Sequence, residues 1–283
     1  MVLAAFFFAL MGACAKVLSG LMPPVEVVFF RNLVGVVLIG LSVWKTPINN
    51  RGGKPWLLLF RGTIGFLALL AFFYNIAHIS LANAMIFSYT SPIFTALLAA
   101  WFLKESIGSR GWMAIGIGFV GIVLVIQPSG WALGKTDILG IFSGLGAGLA
   151  YTSVRELKRY YDTRAIVLSF MLIGTVGPLV LMAIGEVFGM GSFDFALGIF
   201  VMPSGMAWVY IAGMGGFATL AQTFMTRAYG GTRAGIVAAA SYSNILFSLL
   251  LGILLGDAFP NLLGMFGIIL VIFGGILVAK EKA

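Results

Sequence analysis

The 283 residues are 61% hydrophobic and 9% charged, with a mean hydropathy of +1.09, whereas a soluble globular domain is about 25% charged. That excludes an ordinary soluble enzyme or binding module and makes this an integral membrane protein. The net charge is +8, but the basic residues fall in short loops on one side of the apolar segments, so no nucleic-acid partner is expected.

Ten apolar segments follow in order, at roughly 2–20, 25–43, 56–77, 82–103, 111–127, 138–154, 166–184, 206–226, 234–255 and 261–279. Each is expected to be a transmembrane helix, because a helix satisfies its own backbone in lipid. Met1–Leu18 carries Lys16 at its far end, the reverse of a cleaved signal, and is expected to remain as a span. Pro23-Pro24 separates the first two segments, and Asn49-Asn50-Arg51-Gly52-Gly53 is a turn-rich loop. With the N-terminus in the cytoplasm, the inner loops and tail take fourteen lysines and arginines, Arg61 among them, and the outer loops only Lys135. Lys16 and Arg31 lie within segments. The expectation is a multi-pass protein of the cell inner membrane with both termini cytoplasmic. Cys14 is the only cysteine, so no intrachain disulfide can form.

The chain repeats itself. Shifted by 152 positions, Ala82, Ser91, Leu97, Leu98 and Leu103 fall on Ala234, Ser243, Leu249, Leu250 and Leu255, and Glu105 falls on Asp257. With one residue inserted, Gly121–Val125 then falls on Gly274–Val278. Each half holds five crossings, an odd number, so the second half enters the membrane upside down. Inverted repeats place a substrate site near the midplane where they meet.

Polar groups inside apolar segments mark where such a site would be. Arg31 stands about six residues into helix 2, ~9 Å deep at 1.5 Å per residue. It can pair with helix carbonyls or Glu26, or bind a substrate carboxylate. Lys16 and Glu26 flank the outer Pro-Pro hairpin and could pair there as an outer gate. Tyr74, Asn75 and His78 form a patch at the outer end of helix 3. On helix 4, Asn83, Phe87, Thr90 and Phe94 recur at helical spacing, with Tyr89 on another flank. Helix 9 offers Tyr242 and Asn244, helix 8 Gln222 and helix 6 Tyr151. The expected substrate-binding set is therefore Arg31, Tyr74, Asn83, Phe87, Tyr89, Thr90, Tyr151, Gln222, Tyr242 and Asn244. The expected gate or hinge set is Lys16, Glu26, His78 and Pro92, since a proline frees a helix carbonyl. Gly140, Gly144 and Gly148 read as a close-packing seam on helix 6, and Gly116, Gly118, Gly121, Gly264, Gly267 and Gly274 as a seam between helices 5 and 10. There is no His/Cys metal cluster, no paired-carboxylate site and no phosphate-binding glycine loop, so no metal, cofactor or ATP motor is expected.

The run S-P-I-F-T-A-L-L-A-A-W-F-L-K-E at Ser91–Glu105, followed by G-W-x-A-I-x-I-G-F-x-G-I-V-L-V at Gly111–Val125, resembles the EamA half-domain of the drug/metabolite transporter superfamily. Family-like stretches also occur at Phe29–Leu33 (F-F-R-N-L) and Arg61–Ala77, and the second copy, Gly235–Asp257, has Asn244 where the family often has proline. The resemblance implies an all-α membrane protein with two inverted five-helix EamA repeats, over 1–130 and 138–283. Helices 1–4 and 6–9 would surround a central cavity, with helices 5 and 10 to one side. The function expected is secondary transport or export of a small metabolite, amino-acid-like or nucleoside-like, by alternating access, in a monomer or homodimer. The rival is an intramembrane enzyme acting on lipid-linked substrates, for which only His78 and Glu26 offer catalytic groups.

Overall fold

A computed structural model describes residues 1–48, 52–88, 90–91, 93–94, 98, 109–126, 134–188, 195–231, 240–241 and 243–281. Among the described residues the regular structure is helical throughout. In order the helices are α1 (Val2–Leu18), α2 (Pro24–Lys45), α3 (Pro55–His78), α4 (Leu81–Ser88), α5 (Ser109–Ile126), α6 (Lys135–Leu157), α7 (Thr163–Phe188), α8 (Ala207–Gly231), α9 (Ser243–Leu254) and α10 (Leu262–Glu281). Segments within α2, α3, α6 and α7 are long and apolar enough to cross a membrane.

Local chemistry sets several boundaries. Pro24 and Pro55 open α2 and α3 at the first helical position, where the missing N–H costs nothing. The Asp137 carboxylate accepts the Gly134 N–H at 2.9 Å and caps α6, as acidic side chains do at helix starts. Asp162 does the same for α7, accepting the Arg164 N–H at 2.8 Å. Trp44 and Trp56, each 81% exposed, stand at the ends of α2 and α3 beside Lys45 and Lys54, where amphipathic rings anchor at a membrane–water interface.

The helices pack in a balanced pattern. α2 lies on α7, α4 on α9 and α5 on α10; α1 on α8 answers α3 on α6, α2 on α8 answers α3 on α7, and α1 on α9 answers α4 on α6. Small residues permit the closest approaches. A Cβ on Gly121 would meet the Gly267 carbonyl oxygen and the Val271 nitrogen of α10, both at 2.8 Å. The rest of that expected seam is corrected at two positions: Gly116 faces open space, and Gly118 meets Ile93 rather than α10. The α6 seam holds α4, with Gly140 against the Phe87 ring and Gly144 against Thr90.

Pro178, inside α7, has a specific consequence. It cannot donate to the carbonyl four residues earlier, that of Gly174. The freed oxygen accepts the Asn32 side-chain amide from α2 at 3.1 Å, and the same amide donates to the Val28 carbonyl at 2.8 Å. A proline on one helix thereby fixes an asparagine on another.

Candidate functional site

Between the helices lies a cavity of about 80 Å³. One water needs ~10–15 Å³ on the same measure, so this is a hydratable chamber rather than a packing gap. α1, α2, α3, α4, α6, α7 and α8 contribute to its wall, with Arg31, Arg61, Tyr151, Phe170 and Gln222 as its most distinctive members. α5 and α10 stand apart from it, packed on each other.

Arg31 is 1% exposed. Its Nη1 donates to Asn32 Oδ1 at 2.7 Å, so the proline-fixed asparagine holds the guanidinium in place. Its Nε has no hydrogen-bond partner among the described residues. Arg61, which the charge pattern had assigned to an inner loop, is instead inside α3 and 2% exposed. Its Nε and Nη1 are also unpartnered. The two guanidinium carbons lie 5.4 and 4.2 Å from the centre of one ring, Phe170, within cation–π range. Tyr151 is near enough to interact with both charges.

Of the residues expected in a binding site, Arg31, Tyr151 and Gln222 come together on this wall. Others have different placements. α4 turns Met85 and Ser88 to the cavity, with Ser91 beyond them; Phe87 and Thr90 face the α6 seam instead, and the Thr90 hydroxyl donates to the Phe87 carbonyl. Asn83 sits at the start of α4, its N–H donating to Ser80 Oγ at 3.3 Å. Asn244 donates to the Ala5 carbonyl at 2.6 Å and accepts from Ser248 at 3.0 Å, which ties α9 to α1. Tyr74 stacks on His78 with centroids 3.9 Å apart, under the Lys135 ammonium. Tyr89, Pro92 and Tyr242 lie outside the described residues.

The Lys16–Glu26 pair is corrected. Lys16 Nζ donates to the Ile79 carbonyl at 2.6 Å and lies 3.6 Å from Asp257. Asp257 also accepts the Leu81 N–H at 2.7 Å. One latch therefore joins the end of α1, the α3–α4 turn and the segment after α9. Glu26 instead accepts the Val201 N–H at 3.0 Å. Proximity along the hairpin favoured Glu26, but the closer carboxylate comes from the other half of the chain.

Sequence reasoning missed Arg61 and Asn32. Arg61 had the signal of an arginine inside an apolar run, masked by the loop lysine nearby. Asn32 had the signal of an amide beside a buried arginine.

Comparison with known proteins fits this geometry. The EamA-like transporter family matches residues 1–127. An uncharacterized transporter of Helicobacter pylori is 37% identical across 98% of this chain and 92% of that protein. A pseudopaline exporter of Pseudomonas aeruginosa is 31% identical across 99% and 95%. A solved crystal structure superposes with a TM-score of 0.65 over 98% of this chain and 95% of that one, at 17% identity, and so shares the fold. These likenesses point to a transporter rather than an enzyme.

Proposed function

The chain belongs to the EamA-like transporter family of the drug/metabolite transporter superfamily, and from that premise we propose a secondary transporter that moves an amino-acid-like or nucleoside-like metabolite by alternating access. The chamber between the helices is its substrate site, with Arg31, Tyr151 and Gln222 as contacts. The two halves, 1–130 and 138–283, act as inverted repeats in the inner membrane with both termini cytoplasmic. The reciprocal helix pairings support that arrangement. The relatives' names, an exporter of pseudopaline and an uptake transporter for S-adenosylmethionine from Rickettsia felis, support a small polar cargo.

The observation that carries the reading is Arg31, a charge 1% exposed with an unpartnered Nε on the wall of a hydratable chamber. Burying a charge without a carboxylate partner is costly, and such a cost is retained where the charge has a ligand. Its planar fork suits a carboxylate, and the Phe170 and Tyr151 rings suit an apolar or aromatic body. The test is a thermal-shift screen of the purified protein against amino acids and nucleosides, because a ligand of the folded state raises apparent stability. The reading expects stabilisation that is lost in Arg31→Ala. Equal stabilisation of a well-folded Arg31→Ala protein would remove Arg31 from the site.

A further inference from the structure

Arg61 is not used by the reading above, and its surroundings are those of a second anchor. It is 2% exposed and lines the same chamber as Arg31. Two of its three guanidinium nitrogens, Nε and Nη1, have no hydrogen-bond partner among the described residues. The backbone makes room for it: a Cβ on Gly65 would lie 2.7 Å from Arg61 Nη1. Phe170 lies near both cations, at 5.4 and 4.2 Å. One ring offsets part of two charges and is no substitute for a carboxylate.

Among the described residues lining the chamber none is acidic. The ion pairs between described residues lie away from the chamber and join Lys16 to Asp257, Lys54 and Arg159 to Glu156, and Arg164 to Asp162. Two guanidinium groups keep their charge at neutral pH, and as two buried like charges beside one ring they repel. One carboxylate can satisfy one planar fork bidentately, which leaves the other fork unmet.

Resting on the reading of this chamber as the transport site, we infer that the substrate carries two separate carboxylates, one held by Arg31 and the other by Arg61. Arg61 is then a specificity-determining residue that selects diacids over monoacids of the same body. Gln222 and Ser143, which line the same chamber, are left to contact the uncharged part.

The experiment uses the full-length protein purified in detergent and the matched pairs glutarate and butyrate, glutamate and glutamine, and N-acetylglutamate and N-acetylglutamine. Affinities are read by thermal-shift titration, and flux is read in proteoliposomes. The expected result is a preference of about tenfold or more for the diacid in at least one pair, as loss of a charge-assisted contact implies. Arg61→Gln should abolish that preference, and Arg61→Lys should retain part of it. Unliganded Arg61→Gln should melt no lower than the wild type, because removing one of two like charges relieves repulsion. Absence of a preference in every pair overturns the inference, as does a ratio unchanged by Arg61→Gln. A fall in the unliganded melting temperature assigns Arg61 to packing and overturns it too. Failure of the transport reading looks different: the diacid binds with its preference intact and no member of the panel crosses the membrane.

Discussion

Arg31 is held, not free. Pro178 frees the Gly174 carbonyl, Asn32 takes it, and Asn32 Oδ1 takes Arg31 Nη1. Arg31→Lys keeps the charge and loses the two-pronged donor, so it should weaken an anionic ligand. Arg31→Ala should weaken it further, by roughly 2 kcal/mol in a titration, the size of a hydrogen bond to a charged group. Asn32→Ala should lower stability by about 1–3 kcal/mol, because it orphans two buried groups, and should weaken ligand binding as well. A melting curve with a titration on the same sample checks both. At this scale the sequence was half legible. Arg31 stood out as a charge in an apolar run. Arg61 did not, since an arginine near a lysine-bearing loop has the pattern of a positive inner loop, and only the fold reveals that it turns inward.

Helix contacts decide which polar rows face the chamber. The Asn83, Phe87, Thr90 row on α4 has the spacing of one face, but spacing cannot say what that face meets. Here Phe87 and Thr90 meet α6 glycines, and Met85 and Ser88 meet the chamber. Close packing also separates stability from binding. Gly121→Val would push a side chain into α10 backbone and should cost about 1–3 kcal/mol by overpacking. Ligand affinity should be unchanged, since neither α5 nor α10 borders the chamber; a parallel loss of affinity would contradict that separation. The latch at the ends of α1 and α9 is the other element-scale device. Its Lys16 and Asp257 side chains are 23% and 15% exposed, so salt screens the pair incompletely. Asp257→Asn leaves an acceptor for the Leu81 N–H and removes the ion pair. It should loosen that end by about 1 kcal/mol, a several-fold change in the population of open molecules. Faster labelling of a cysteine placed at Ser19 would report it. Unchanged labelling would make the latch a fixed strut.

At the scale of the whole molecule, eight of the ten apolar segments reappear as described helices with ends shifted by a few residues, while α4 (Leu81–Ser88) and α9 (Ser243–Leu254) cover only part of the expected 82–103 and 234–255, much of the remainder lying outside the described residues. Internal similarity between the halves is the sequence signal behind the proposed repeat. The cross-half partners Asn244–Ala5 and Lys16–Asp257 were not visible, because pairing over hundreds of residues leaves no local periodicity. Reporter fusions at Ala283 and near Ser192 should place the former in the cytoplasm and the latter outside. In the proposed mechanism one chamber serves both faces of the membrane. A cysteine at Ser88, on the chamber wall, in a Cys14→Ala background tests it through labelling with a membrane-impermeant thiol reagent in right-side-out and inside-out vesicles. Alternating access predicts labelling from both faces in transport-competent protein. Labelling from one face alone, with transport retained, would contradict it.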